Sequence, residues 1–147
     1  MPTKISNRNI DANRKTPQTA KTPQSSSKTF TSKLKDARID VLSNDLNELA
    51  KIVKQRGENF LKAPDEKLLQ SYKEAIKQFL TKVSKEFYSL KEEFGAQKDG
   101  EQKVFQLVNS TDSEVESLTK ETLTHDKAVN LLASLDDIRG LVLDIVG

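Results

Sequence analysis

Apolar residues recur at helical spacing along most of the chain beyond residue 30, and this pattern predicts four α-helices. The first predicted helix covers about residues 43–62, and a shorter helical turn over about residues 30–41 precedes it. Ser43 and Asn44 belong to the residue types that cap helices, so the helix is expected to begin there. Its apolar stripe, with a glycine at one position, consists of Leu42, Leu46, Leu49, Val53, Gly57 and Phe60.

The second predicted helix has the clearest pattern, because its apolar residues repeat at seven-residue intervals in neighbouring rows. Pro64 at the first helical position and Gly95 after the last turn are typical end signals. A helix of about 31 residues would be roughly 46 Å long. Its stripe supplies candidate interaction residues for a partner or a second copy, unless it is intramolecular core. They are Leu69, Tyr72, Ile76, Phe79, Val83, Phe87, Leu90 and Phe94.

Two more helices are predicted after residues 95–101, which have the composition of a loop. The third contains a polar run over residues 109–112, where a bend would be tolerated. The fourth is predicted to be capped by Asp126 and is apolar on most sides, as is typical of a central helix. Gly140 within it is the candidate helix-crossing residue. The sequence therefore predicts an all-α fold, a four- to five-helix bundle with one long central helix.

Residues 1–30 differ in composition from the predicted bundle domain over residues 31–147. They are mostly basic and small polar residues, which bury too little apolar surface to offset chain entropy, so a disordered basic arm is predicted. Residues 1–38 hold nine basic and two acidic side chains, a net charge of +7. The rest holds 15 basic and 20 acidic side chains, a net charge of −5. The total of +2 is thus the sum of a basic arm and an acidic body.

The arm suggests weak, sequence-blind nucleic-acid association, because lysine and arginine neutralise phosphates whatever the base sequence. Its candidate phosphate contacts are Arg14, Lys15, Lys21 and Lys28. Apart from Phe30, the arm lacks aromatic residues on which bases stack. A solubilising tail is the simpler alternative. The Thr-Pro pairs at Thr16 and Thr22 fit either a low-complexity linker or modification sites.

The remaining composition offers little catalytic or cofactor chemistry. There is no cysteine, and His125 is the only histidine, predicted to lie at the surface beside a helix junction. No Glu-x-x-His pair or phosphate-binding glycine loop occurs, so no metal, no cofactor and no enzymatic activity are predicted. No run of roughly 18 apolar residues and no signal peptide is visible. We expect a cytoplasmic protein without a membrane partner, acting as a non-enzymatic protein-interaction or regulatory module.

Three runs of the predicted domain resemble the YaaR-like family of small bacterial proteins. The runs are YKEAIKQFL at residues 72–80, KVFQLV at residues 103–108 with ESLT at residues 116–119, and LDDIRGLVLDI at residues 135–145. The family patterns they match are Y-K-x-x-[IV]-K-x-F-L, a basic-aromatic-x-[IL]-V run with a later L-T, and I-x-x-[IL]-[KR]-G-L-L-x-[DN]-I. The match covers about residues 42–147 in the family's order.

Near residues 95–102 the chain departs from the family pattern, since relatives carry a tryptophan and arginines there and this chain reads Gly-Ala-Gln-Lys-Asp-Gly-Glu from residue 95. The resemblance implies a helical domain in a bacterial cytoplasm, and it implies no activity.

Overall fold

The structure, a computed structural model, describes the backbone of residues 17–96 and 98–146 and the side chains in these ranges from Thr29 onward. The described residues form helices and no strand, which confirms the predicted all-α helical bundle. The helices are α1 (Pro17–Lys62), α2 (Glu66–Phe94), α3 (Lys98–Glu116) and α4 (His125–Val146). Among the described residues, no helix combines the length and hydrophobicity that crossing a membrane would require.

Contacts divide the chain into two units, Met1–Ala37 and Arg38–Gly147. In the described part of the first unit the backbone is helical, and Phe30 and Leu34 are exposed. The disordered arm was predicted for residues 1–30, and most of these side chains lie outside the described residues, which begin at Pro17 for the backbone and at Thr29 for the side chains. The same holds for the candidate phosphate contacts Arg14, Lys15, Lys21 and Lys28.

Helix α1 passes through Ser43 and Asn44 without a break, so the prediction that a helix begins there was wrong. No proline or glycine lies between residues 30 and 43 to interrupt the helix. The Ser43 hydroxyl accepts a weak hydrogen bond from Arg139 Nη1 at 3.4 Å instead of capping a terminus. The predicted apolar stripe is confirmed, with only Leu49 partly exposed.

Helix α2 begins after Asp65, whose carboxylate accepts a hydrogen bond from the Leu68 N–H at 3.0 Å. Asp65 is therefore the N-cap, and Pro64 lies before the cap rather than at the first helical position. Gly95 ends the helix as predicted, with φ of 85°, a left-handed value that favours glycine. Its N–H donates to the Lys91 carbonyl oxygen at 2.8 Å.

The apolar stripe of α2 is the core of the unit Arg38–Gly147. Helix α2 contacts α3 and α4, and it meets residues 38–62 of α1 where Arg56 Nη1 donates to the Ser71 carbonyl oxygen at 3.0 Å. Because helices pack against the stripe on several sides, a partner protein cannot reach its side chains. The prediction that these residues form an interaction surface is corrected, and its alternative of an intramolecular core is right. Phe94 alone is partly exposed, and the fully enclosed members are Leu69, Tyr72, Ile76, Phe79, Val83, Phe87 and Leu90.

Helices α3 and α4 approach each other closely at Gly100, which is buried in the first turn of α3. A Cβ on Gly100 would lie 2.5 Å from Ile145 Cδ1, so a side chain at this position would require the Ile145 side chain to move. Gly140 was predicted to play this part, and that prediction was wrong. A Cβ on Gly140 would meet nothing within 4 Å.

Two further details of α3 and α4 differ from expectation. Helix α3 already begins at Lys98 and continues through residues 109–112 without a break. The cap of α4 is Thr124 rather than Asp126, since the Thr124 hydroxyl accepts from the Lys127 N–H at 3.2 Å. His125 is exposed at this helix start, as predicted.

Candidate functional site

One groove lies between α2 and α3, and we call it the α2–α3 groove. It consists of two adjoining depressions of about 630 and 240 Å³. Along α2 it extends from Lys77 to Lys91, about 21 Å or four helical turns. The residues that line both depressions are Ser84, Tyr88, Val108 and Asn109.

Two aromatic side chains of the α2–α3 groove are largely open to solvent. Tyr88 on α2 is 58% exposed and Phe105 on α3 is 67% exposed. Beneath them, Phe87 and Val104 are buried and belong to the core. Large aromatic side chains are usually buried at least in part, so two exposed ones on a single groove form an apolar patch of the kind that marks binding surfaces.

One ion pair lies beside this aromatic patch. The Lys91 ammonium lies 5.2 Å from the centre of the Tyr88 ring and 3.0 Å from Glu101 Oε1. The hydrogen bond to Glu101 raises the pKa of Lys91, and a hydrogen bond to Glu92 raises the pKa of Tyr88. Both groups therefore keep their protons at neutral pH, and the Lys91 ammonium adds a cation–π contact to the Tyr88 ring.

The opposite end of the α2–α3 groove carries charges of both signs. Lys77 forms an ion pair with Glu116. Lys85 and Asp112 also line this end, and neither takes part in an ion pair among the residues that the structure describes. The groove thus offers one cation and one anion that remain available to a bound molecule.

A second groove, the α1–α4 groove, also consists of two adjoining depressions. The outer one has a volume of about 480 Å³ and the inner one about 90 Å³. Lys54, Val129 and Leu132 line both. The buried side chains of Phe79 and Leu135 line the outer depression. Val129 is 52% exposed, because the buried face of α4 begins at Leu131 and continues through Leu135 and Ile138.

The Tyr72 side chain lines the inner depression. This side chain is 1% exposed, and its hydroxyl oxygen has no hydrogen-bond partner among the residues that the structure describes. Burial raises the pKa of Tyr72 to about 12, so the group is a neutral donor at ordinary pH. A buried donor without an acceptor costs roughly 1–3 kcal/mol. The Tyr72 ring lies where it does because α1 has a glycine opposite, and a Cβ on Gly57 would be 3.0 Å from Tyr72 Cε1.

Cations predominate at the rim of the outer depression. Arg139 Nη2 contacts Asp136 Oδ1 at 3.1 Å, and Lys51 Nζ contacts Glu48 Oε2 at 3.2 Å. Lys54, which belongs to both depressions, has no ion pair in the described part of the chain. The inner depression also carries the exposed side chains of Glu58 and His125 at its mouth.

The residues that line these grooves were predicted only in part from the sequence. Tyr72, Phe79 and Phe87 come from the predicted stripe of α2, but they contribute buried floor rather than exposed surface. Tyr88 and Phe105, the exposed aromatic residues, were missed. Each of these aromatic residues lies outside the apolar stripe of its own helix, and this position was the signal by which the sequence could have identified them as exposed.

Candidate metal ligands do not converge in the described residues. Among them, no group of three or more His, Asp or Glu side chains lies close enough together to hold a metal ion. Asp136 and Asp137 are exposed on α4.

Comparison with known proteins gives one match. The model of a family described as "Protein of unknown function (DUF327)" matches residues 4–146. No curated protein and no solved structure matches the chain significantly.

Proposed function

Because the chain belongs to the family of unknown function DUF327, the YaaR-like family that its motifs resemble, we propose its function from the geometry of the grooves. The protein is a non-enzymatic interaction module, and its α2–α3 groove binds an amphipathic helix of a partner protein. The observation that carries this proposal is the exposure of Tyr88 and Phe105 on the walls of one groove.

Exposed aromatic side chains favour a protein as the occupant. Tyrosine is among the residues that dominate binding energies at interfaces, and large aromatic rings bury 150–250 Å² each. Tyr88 is held by Glu92 and by the Lys91 ammonium over its ring, so little side-chain entropy remains to be lost on binding.

The dimensions of the groove favour a helix. About 21 Å along α2 accommodates roughly 14 residues of a partner helix, which would bind through apolar residues on one face. Lys85 and Asp112 lie beside the apolar floor, where they would pair with an acidic and a basic residue at the edges of that face. A second copy of this chain is the competing occupant.

Site-specific photo-crosslinking in cells tests this proposal. Benzoylphenylalanine in place of Phe105 is expected to cross-link to a partner peptide, identified by mass spectrometry, and Tyr88→Ser should reduce its yield at least tenfold. Gln106 provides the matched control, because it is exposed and adjacent but lies about 100° around the helix. Equal cross-linking from positions 105 and 106 would contradict a specific groove.

Sedimentation of the purified chain at tens of micromolar distinguishes the two protein occupants. A monomer that still cross-links in cells supports a separate partner. If position 105 cross-links only to peptides of this chain and the purified chain sediments as a dimer, the occupant of the groove is a second copy rather than a partner helix.

The net charge of +7 over residues 1–38 supports the alternative function, weak nucleic-acid association through the arm. Deletion of residues 1–30 should then reduce retention on immobilised DNA and RNA at low salt. Unchanged retention would exclude this alternative without affecting the proposal for the α2–α3 groove.

A further inference from the structure

We propose that helix α1 pairs with α1 of a second copy of this chain, as a short antiparallel coiled coil. The contact surface, which we call the α1 stripe, consists of Phe30, Leu34, Ala37 and Val41. None of these residues lines either groove. The proposal therefore does not depend on the partner helix proposed for the α2–α3 groove.

The α1 stripe is apolar, regular and exposed. Its residues follow one another at intervals of four, three and four positions, which is the spacing of a coiled-coil seam. On a helix such residues lie within about 60° of one another. Phe30 is 69% exposed, Val41 59% and Leu34 42%, and Ala37 is exposed as well. Three large apolar side chains in solvent on one helix face form a contact surface without a partner.

The core of the protein does not use this face of α1. The core residues of α1 that follow the stripe, Leu42, Leu46 and Val53, lie roughly 130° further around the helix. Helix α1 runs unbroken from the α1 stripe into these residues, so the stripe is already helical before a second copy binds. Pairing therefore requires no helix nucleation, which is costly for a helix of only a few turns.

A second copy fits the α1 stripe because the stripe is complementary to itself in the antiparallel direction. Phe30 then lies opposite Val41 of the second copy, and Leu34 lies opposite Ala37 of the second copy. Each layer combines a larger with a smaller side chain, and the two-fold axis repeats both layers. Parallel pairing would instead place two phenylalanines in one layer and two alanines in another, so the layers would differ widely in width.

The charges beside the α1 stripe also favour the antiparallel direction. In a parallel coiled coil Lys33 would face Arg38 of the second copy, and Asp40 would face Asp45, so both contacts would join like charges. In the antiparallel pair Lys33 faces Asp40 of the second copy, and the two-fold axis gives this attractive contact twice. Neither Lys33 nor Asp40 has an ion pair among the residues that the structure describes.

Sedimentation equilibrium of the full chain at about 20–500 µM tests the pairing, since four side chains from each copy form a small interface of the weak class. The average mass should rise with concentration from 16.5 kDa toward twice that value. Leu34→Ser should raise the dissociation constant at least about tenfold. Tyr88→Ser is the matched control, because it removes an exposed side chain of the α2–α3 groove and should leave the dimer unchanged. Both side chains are partly or largely in solvent, so both variants are expected to remain folded.

Disulfide cross-linking tests the direction of the pair, because the chain has no cysteine of its own. A mixture of the Phe30→Cys and Val41→Cys variants should form disulfides between the two variants. Positions 30 and 41 are about 16 Å apart along α1, so neither variant can link to a copy of itself in the antiparallel pair. Ser32→Cys is the control, because Ser32 is exposed on the opposite side of α1 and should not cross-link.

Three results would overturn the proposal. The first is a chain that stays monomeric at about 500 µM, a concentration at which a weak interface should be populated. This result would leave the proposal for the α2–α3 groove unaffected. The second is a dimer that Leu34→Ser leaves unchanged and Tyr88→Ser abolishes, which would assign self-association to the α2–α3 groove. The third is a set of disulfides in which each cysteine variant links only to itself.

Discussion

The two tyrosines of the chain lie on the same helix and belong to different grooves. Tyr72 is enclosed beside the α1–α4 groove, and its hydroxyl has no hydrogen-bond partner among the described residues. Tyr88 is exposed on the wall of the α2–α3 groove, next to Glu92 and Lys91. Sixteen residues separate them, which at 100° per residue places them about 160° apart around α2. The same residue type is therefore part of the core beside one groove and exposed on the wall of the other.

This difference extends to the two grooves as wholes. In the α1–α4 groove the apolar wall is mostly aliphatic, and the unusual feature is a polar group that is buried. In the α2–α3 groove the unusual features are apolar groups that are exposed, with the Lys91–Glu101 ion pair beside them. Exposed aromatic rings are typical of a surface that a partner covers, whereas the enclosed Tyr72 ring belongs to the packed core.

The largest contrast should come from removing one phenylalanine ring from each groove. Phe79→Ala deletes a fully buried floor residue of the α1–α4 groove and should lower the free energy of unfolding by about 3–5 kcal/mol. Phe105→Ala removes an exposed ring of the α2–α3 groove and should change it by about 0.5 kcal/mol or less. Urea denaturation measures both. A loss of several kcal/mol for Phe105→Ala would mean that its ring belongs to the core.

The next largest effect is expected at alkaline pH, where Tyr72 and Tyr88 should contribute differently to the pH dependence of stability. Burial raises the pKa of Tyr72 from near 10 to about 12, so the folded chain keeps a proton that the unfolded chain loses over this range. The stability of the native chain should therefore fall as pH rises from about 10 to 12, by about 2–3 kcal/mol relative to Tyr72→Phe.

Denaturation of the native chain and of Tyr72→Phe at several pH values measures this difference. Lysines titrate in both proteins, so their contribution to the pH dependence cancels when the two free energies of unfolding are subtracted. Tyr88→Phe is the control. Because Tyr88 is exposed, its removal should leave most of the pH dependence in place. A pH dependence that Tyr72→Phe leaves unchanged would show that the Tyr72 hydroxyl reaches solvent.

Two glycine substitutions test the close packing around Tyr72 with a smaller expected effect. Gly57→Leu places a side chain against the Tyr72 ring and should destabilise the protein by about 1–3 kcal/mol. The Cβ of Gly140→Leu meets no atom within 4 Å, and the change should be neutral or stabilising by up to about 1 kcal/mol, since leucine favours the helix more than glycine does. Thermal melts compare the two, and equal losses would contradict the packing described for Gly57.

Much of the helical framework was predictable because it depends on local signals. The stripe of α2 and its end at Gly95 follow from residues close together in the chain, and both are confirmed. Starts were harder to predict. Glu66 rather than Pro64 is the first residue of α2, with Asp65 as its cap, and α4 is capped by Thr124 rather than Asp126. Several residues near each start could begin or cap the helix, and small shifts in geometry decide between them.

The sequence by itself determined that the chain is helical and which face of α2 is buried, since a period of 3.6 residues is a property of the chain alone. Only the tertiary structure decided which glycine lies close to a neighbouring helix and which aromatic side chains remain outside the core. Gly100 and Gly140 look alike in the sequence, yet only Gly100 lies against another helix. Distances between helices depend on residues far apart in the chain, and the grooves are the spaces that those distances leave.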